Sequence, residues 1–137
     1  MEYSAAATIN ASPAAVWALL TNAADYPEWN PTVVRVEGDI ALGQKIKVVA
    51  TVSPERAFPV KVAELVPNQR MVWQGGMPLG LFKGVRTFTL TPSGEGTQFS
   101  MREVFSGPML GLIKRSMPNL QPSFDEFARS LKLRAEG

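Results

Sequence analysis

At 137 residues the chain is long enough for one domain with a hydrophobic core and too short for two, and no apolar run could cross a bilayer. The absence of cysteine and histidine excludes disulfides and thiol nucleophiles, and removes the commonest metal ligand and the usual general acid–base side chain. Fourteen basic and twelve acidic residues give a formal charge of +2, with no basic cluster longer than Lys114-Arg115, which argues against a nucleic-acid partner.

The first half of the sequence predicts a strand, two short helices and two further strands. "EYSAAATIN" favours a strand, and "SPAAVWALLTN" favours a helix because Ser12 is a typical N-cap and Pro13 suits the first helical position. "AADYPEWNP" predicts a short helical turn that Pro27 and Pro31 limit. "TVVRVEG" and "QKIKVVATV" then show the apolar–polar alternation of strands.

The second half predicts four more strands and a C-terminal helix. "FPVKVAELV" and "RMVWQG" flank the turn "PNQ", and "FKGVRTFTLTPSGEGTQFSMREVF" predicts a hairpin of the two longest strands. The glycines and proline of "GGMPLGLFKG" suggest a mobile loop that could gate a binding site, and a plain turn is the alternative. In the last 31 residues apolar side chains recur at intervals of three and four, as in a long amphipathic helix. Pro118 and Pro122 interrupt this stripe and predict a kink or a break.

These elements predict one α+β domain over residues 1–137. A single amphipathic helix cannot bury its apolar stripe alone, and the antiparallel sheet of about seven strands is the only partner large enough to cover it. We therefore expect the C-terminal helix to lie across the sheet, with two short helices after the first strand.

Two charged residues interrupt the apolar face of the predicted hairpin. Pairing Phe88 with Met101 across the turn makes Arg86 and Glu103 the next partners on the same face, directly opposite each other. Three interpretations follow: a structural salt bridge, the polar anchor of an apolar pocket, or a catalytic pair with Glu103 as base and Arg86 as electrophile. Catalysis is the least favoured, because an arginine neighbour lowers the pKa of a carboxylate and weakens it as a base.

The order of elements and four stretches of sequence resemble the SRPBCC family of polyketide cyclase/dehydrase and lipid-transport proteins, within the START/Bet v 1-like superfamily. The stretches are "INASPAAVWALLTNAADYPEWNP", "PVKVAELVPNQRMVW", "GLFKGVRTFTLTPSGEGTQFSMREVFSG" and "FDEFARSLKLRAE". The resemblance implies a helix-grip fold, in which a curved sheet wraps the final helix and leaves an elongated cavity for an apolar small molecule. One departure is that Arg86 stands where relatives often have a histidine, so that histidine's role does not carry over.

This fold and the periodicity of the strands suggest which side chains line the cavity. Met71 and Trp73 alternate toward one face of their strand, where they either line the pocket or belong to the ordinary core. Trp29 either borders the cavity entrance or is a packing residue of a lid. Methionines are adaptable fillers that suit an irregular core or a pocket wall. The residues expected to bind a ligand are Trp29, Val48, Phe58, Met71, Trp73, Phe82, Arg86, Phe88, Met101, Glu103, Phe105, Ile113, Met117 and Leu120.

The first functional hypothesis is a cytoplasmic carrier or binding protein for a lipid, isoprenoid or polyketide-like molecule, without metal or cofactor, as a monomer or weak homodimer. The alternative is a polyketide cyclase/dehydratase-type enzyme that uses Arg86 and Glu103 with a tyrosine or water. It is disfavoured because Tyr3 and Tyr26 are the only tyrosines and neither lies on the two long strands. A protein-interaction module is the third hypothesis, but no linear run signals the exposed patch that it would need.

Overall fold

The computed structural model describes the whole chain, residues 1–137. Its strands are β1 (Glu2–Ile9), β2 (Val33–Glu37), β3 (Lys45–Ala50), β4 (Phe58–Val66), β5 (Arg70–Gly76), β6 (Lys83–Ser93) and β7 (Gly96–Ser106). Its helices are α1 (Pro13–Leu20), α2 (Tyr26–Trp29), α3 (Leu110–Ile113) and α4 (Gln121–Glu136), with 3₁₀ turns at Ala23–Asp25 and Pro78–Gly80. None of the helices has the length and apolar character that a membrane span requires.

All seven strands join one antiparallel sheet in the order β1-β7-β6-β5-β4-β3-β2. The sheet curls, and α4 lies against β1 and β7 on its inner face, while α2 contacts both α4 and the opposite edge strand β2. Strands β5 and β7 finish, and strands β4 and β6 begin, at the same end of the sheet. We call this the lower end. The predicted α+β architecture is confirmed.

The helices after β1 form for the local reasons that the sequence indicated. The Ser12 hydroxyl accepts a hydrogen bond from the Ala15 N–H at 3.2 Å, which caps α1, and proline occupies the first turn. The buried Tyr26 hydroxyl donates to the Leu20 carbonyl at 2.7 Å and so fastens α2 to the end of α1. Burial raises the pKa of Tyr26 far above its ordinary value, against an opposing effect of Arg86, so this phenol stays protonated as a structural donor.

The C-terminal segment breaks where its prolines predicted a break. Helix α3 ends at Ile113, Pro118 lies in the irregular connection, and Pro122 sits in the first turn of α4, where its missing N–H costs no helical hydrogen bond. At the other end of α4, the Glu136 carboxylate accepts the Asn10 N–H at 2.8 Å. This bond, with a second from Lys132, lowers the pKa of Glu136 below its usual value.

The hydrophobic core fills the space between α4 and the middle of the sheet. Phe127 of α4 lies at its centre, with ring centroids 5.6 Å from Trp29, 6.0 Å from Phe88, 6.3 Å from Tyr26 and 6.4 Å from Phe99. All five side chains are buried. The sheet therefore grips the helix mainly through aromatic rings, and this packing fixes where the lower half of the inner face can lie relative to α4.

Candidate functional site

An ion pair lies on the inner face of the sheet below the aromatic core. The hairpin has the predicted register, with Phe88 opposite Met101 and Arg86 opposite Glu103. The Arg86 Nε–H donates to Glu103 Oε1 at 2.6 Å, and the two side chains are only 23% and 15% exposed. Both charges are thus largely withdrawn from water, unlike every other ion pair in the chain, in which at least one side chain is more than 40% exposed.

Aromatic side chains flank the pair on the two neighbouring strands, and a ring from α4 covers it. Across four adjacent strands, Tyr3 of β1 is the partner of Glu103, and Trp73 of β5 is the partner of Arg86. The Arg86 Cζ atom lies 4.8 Å from the centroid of the Phe124 ring, within cation–π range. The site therefore combines a carboxylate, a guanidinium and a phenol in one row, covered by a ring from α4.

Sequence reasoning missed Tyr3 and Phe124 as members of this site. Neither tyrosine lies on the two long strands, but Tyr3 is the cross-strand neighbour of Glu103 because β1 pairs with β7, about a hundred residues away in sequence. A weak signal was available: Tyr3, Ala5 and Ala7 alternate with more exposed residues, as expected for one strand face turned inward. Nothing in the sequence marked Phe124 apart from the rest of the helical stripe.

Two glycines leave the inner face without side chains next to the pair, on the side toward the lower end. Gly75 of β5 and Gly84 of β6 are direct partners. A Cβ atom on Gly84 would lie 3.0 Å from Glu103 Oε2 and 3.1 Å from the Phe105 ring, and one on Gly75 would lie 2.9 Å from Val60 Cγ1. Larger residues at these two positions would crowd Glu103, Phe105 and Val60.

The structure distributes the other side chains expected to bind a ligand over three regions. Those packed deep in the hydrophobic core are Trp29, Met71, Phe88 and Met101. Those on the sheet between the pair and the lower end are Val48, Phe58, Phe82 and Phe105. Those on and after α3, all half-buried, are Ile113, Met117 and Leu120. The second region lies next to Arg86, Glu103 and Trp73 on the sheet. Its side chains become more exposed toward the lower end, from buried Phe105 to Phe58, which is 40% exposed.

Three buried side-chain donors have no acceptor within the protein. They are Trp29 Nε1, Trp73 Nε1 and Asn30 Nδ2. Both indoles contact Tyr26, whose ring centroid is 5.1 Å from that of Trp29 and 6.2 Å from that of Trp73. Buried N–H groups are normally paired, so each of these three can donate a hydrogen bond to a water or a ligand oxygen.

Two surface clefts lie away from this row. One, of about 430 Å³, is bordered by the end of α1, the 3₁₀ turn Ala23–Asp25 and the connection after β2. The other, of about 250 Å³, lies between the connection after β3 and the start of α4. Neither cleft is lined by Arg86 or Glu103 or contains a charged pair buried like them, and this pair is what makes the row on the inner face the candidate site.

Comparison with known proteins places the chain in a family. Residues 1–136 match the family described as "Polyketide cyclase / dehydrase and lipid transport". No curated protein matches. Among solved structures, the Aha1 dimer from Colwellia psychrerythraea superposes with a TM-score of 0.76 at 20% identity, over 99% of this chain and 96% of that one.

Two further solved structures have the same fold. A START superfamily protein from Mycobacterium smegmatis gives a TM-score of 0.71 at 16% identity, with 98% of this chain and 97% of that one covered. The di-domain ARO/CYC protein StfQ from the steffimycin biosynthetic pathway gives 0.74 at 16% identity, over 98% of this chain and 50% of its own. Because the family match covers nearly the whole sequence, this chain is a member of the polyketide cyclase/dehydrase and lipid-transport family with a START/Bet v 1-like helix-grip fold.

Proposed function

We propose that this protein is a cytoplasmic binding or carrier protein for a hydrophobic or amphipathic small molecule, such as a lipid, an isoprenoid or a polyketide-like aromatic. The ligand would lie between the lower half of the sheet and the segment that joins α3 to α4. The observation that carries the proposal is the half-buried Arg86–Glu103 pair on an otherwise apolar face. Family membership supports a ligand-binding or cyclase-type role.

The chemistry of the pair suggests what kind of polar group it would hold. Withdrawing two charges from water is costly, and a salt bridge alone seldom gives net stability over apolar residues of similar volume. Arg86 uses its Nε–H on Glu103 and donates no other hydrogen bond to the protein, so its remaining N–H groups are available to a ligand. Since the pair is neutral as a unit, we expect a hydroxyl or carbonyl group to suit it better than a free carboxylate.

The surroundings of the pair are suited to the apolar part of such a ligand. Phe82 stacks on Phe105 with ring centroids 5.7 Å apart, and Val60 lies beside Gly75. These side chains are buried or half-buried and carry no polar atom. A wall of this kind with one polar anchor is the usual composition of a small-molecule site.

Blocking this wall should abolish uptake. We expect the wild-type protein to enhance the fluorescence of the neutral dye Nile red, and Val60→Phe to weaken its binding roughly tenfold, the effect expected of a misfit in an apolar pocket. Val66→Phe is the matched control, since Val66 lies at the other end of β4 and is 37% exposed. Native mass spectrometry of freshly purified protein would show whether an apolar ligand is carried along. Equal dye binding by all three proteins would overturn the proposal.

The position of Tyr3 favours a second candidate, a cyclase/dehydratase-type enzyme. A phenol beside a carboxylate and a guanidinium provides a proton donor, a base and an anion-stabilising group in one row. Tyr3→Phe and Glu103→Gln should then each lower the turnover of an aromatic polyketide substrate by roughly a hundredfold or more while dye binding persists. Under the carrier function, the wild-type protein leaves such a substrate chemically unchanged.

A further inference from the structure

Exposed large apolar side chains are concentrated at the lower end of the sheet. Seven of the eleven in the chain lie there, on the start of β1, the β3–β4 and β5–β6 connections, the first residue of β4, and α3. We call this set the apolar surface; its members are Met1, Val52, Phe58, Met77, Leu79, Leu81 and Leu112. Side chains of this kind scattered singly need no explanation, but a cluster of them marks an interaction site.

Backbone contacts hold two parts of the apolar surface together. The Met109 N–H, just before α3, donates to the Leu81 carbonyl at 2.9 Å, and the Met77 N–H donates to the Phe82 carbonyl at 2.8 Å. Gly107 permits this approach: its φ is +112°, and a Cβ there would lie 2.6 Å from the Leu81 oxygen. The β5–β6 connection and α3 therefore present their leucines as one surface.

Leu79 is the most conspicuous member of the apolar surface. It is 97% exposed, and its φ of +62° lies in the left-handed region that favours glycine or asparagine. Neither packing within the chain nor backbone preference accounts for a leucine at this position. An external apolar partner would account for it.

The charges around the apolar surface are mostly basic. Lys83 begins β6, Lys114 and Arg115 follow α3, and Arg56 precedes β4. The acidic residues at this end are Glu55, next to Arg56, and Glu2, which follows Met1 and forms an ion pair with Arg102. The sequence from residue 104 to residue 124 contains no acidic residue. Leucines ringed by lysine and arginine are complementary to an anionic lipid surface, and the same positive charge would repel a second copy of this chain.

We propose that the apolar surface docks on an anionic membrane, with Leu79 and Leu112 entering the headgroup layer and Lys83, Lys114 and Arg115 against the anionic headgroups. Docking is supported by these residues independently of the ligand-binding proposal. A role of docking in ligand transfer, however, rests on the proposed function. Phe105, Phe82 and Phe58 lie between the ion pair and the lower end of the sheet, so a docked protein would turn this end of the ligand site toward the bilayer.

Vesicle co-sedimentation tests the docking. We expect the wild-type protein to sediment with phosphatidylcholine vesicles that contain phosphatidylglycerol, more weakly with pure phosphatidylcholine, and less as salt rises. The double variant Leu79→Asn, Leu112→Gln should lose at least about tenfold in affinity for the mixed vesicles, from the apolar area it withdraws. Asparagine suits the positive φ at position 79, so this variant should fold. The control Leu42→Asn, Leu133→Gln alters two leucines that are 62% and 57% exposed elsewhere, and should bind as the wild type does.

The outcomes separate this proposal from the ligand-binding one. If the wild-type protein does not bind the mixed vesicles, or if the Leu79/Leu112 variant binds them as well as the wild type does, the docking proposal is wrong. A dimer in solution that the same variant dissolves would show that the apolar surface is a self-association site instead. Nile red uptake should persist in the Leu79/Leu112 variant, whereas Val60→Phe should lose uptake and keep vesicle binding, so each proposal can fail alone.

Discussion

Phe127→Ala will lower the free energy of unfolding by about 3–5 kcal/mol, the range for removing a large aromatic side chain from a tightly packed core. The ring is buried and lies within 6.4 Å, centroid to centroid, of four other aromatic rings from α2, β6 and β7. Its loss removes dispersion contacts on several sides, and the surrounding rings, fixed on the sheet and on α2, cannot collapse fully into the cavity. Urea unfolding followed by circular dichroism measures the change.

Leu133→Ala is the control for this prediction. Leu133 lies on the same helix but is 57% exposed, so its truncation should change the unfolding free energy by no more than about 0.5 kcal/mol. A cost for Phe127→Ala below about 2 kcal/mol would mean that the sheet does not grip α4 through this ring. The packing of Phe127 against the neighbouring rings would then have to be looser than the centroid distances indicate.

Arg86→Met and Glu103→Met will each destabilise the protein by about 2–4 kcal/mol, and the double variant will cost less than the sum of the two. In the wild-type protein Arg86 Nε and Glu103 Oε1 are 2.6 Å apart. Each single change removes one of these partners and leaves the other as a largely buried, uncompensated charge. Removing both replaces two desolvated charges by apolar side chains that suit the surrounding rings. The measurement is a double-mutant cycle by urea unfolding, with the dye assay run on each folded variant.

The exposed pair between Arg102 and Glu2 supplies the comparison. Its side chains are 61% and 51% exposed, so Arg102→Met should cost at most about 1 kcal/mol. Additive single effects at positions 86 and 103 would contradict the coupling. A double variant that keeps wild-type stability but binds Nile red poorly supports a ligand anchor, whereas unchanged dye binding supports a purely structural salt bridge.

Local patterns in the sequence were sufficient for much of this fold. The hairpin register followed from alternation around one turn, so the pairing of Arg86 with Glu103 needed no knowledge of distant contacts. Ser12 and Pro13 determined the start of α1, and Pro122 explained why the C-terminal stripe is not one helix. In each case the controlling interaction joins residues close in sequence.

What escaped prediction depends on contacts between distant segments. Tyr3 and Glu103 are a hundred residues apart, and the ring of Phe124 meets Arg86 only because α4 crosses the sheet at one particular place. The apolar surface is assembled from several separate connections, none of which contains an apolar run long enough to attract notice. Chain order alone puts alternate connections of an antiparallel sheet at the same end, but it does not show which of their apolar side chains stay exposed there.

The pairing of β1 with β7 has a consequence for the newly made chain. Among the seven strands of this sheet β1 is synthesised first, and it has no neighbour in the sheet until β7 has been made, because β7 is its sole partner there. Such distant closure is slow, and a waiting strand is a template for mispairing. The alanines at positions 5, 6 and 7 give β1 little apolar area and poor strand propensity, which keeps it inert during that interval.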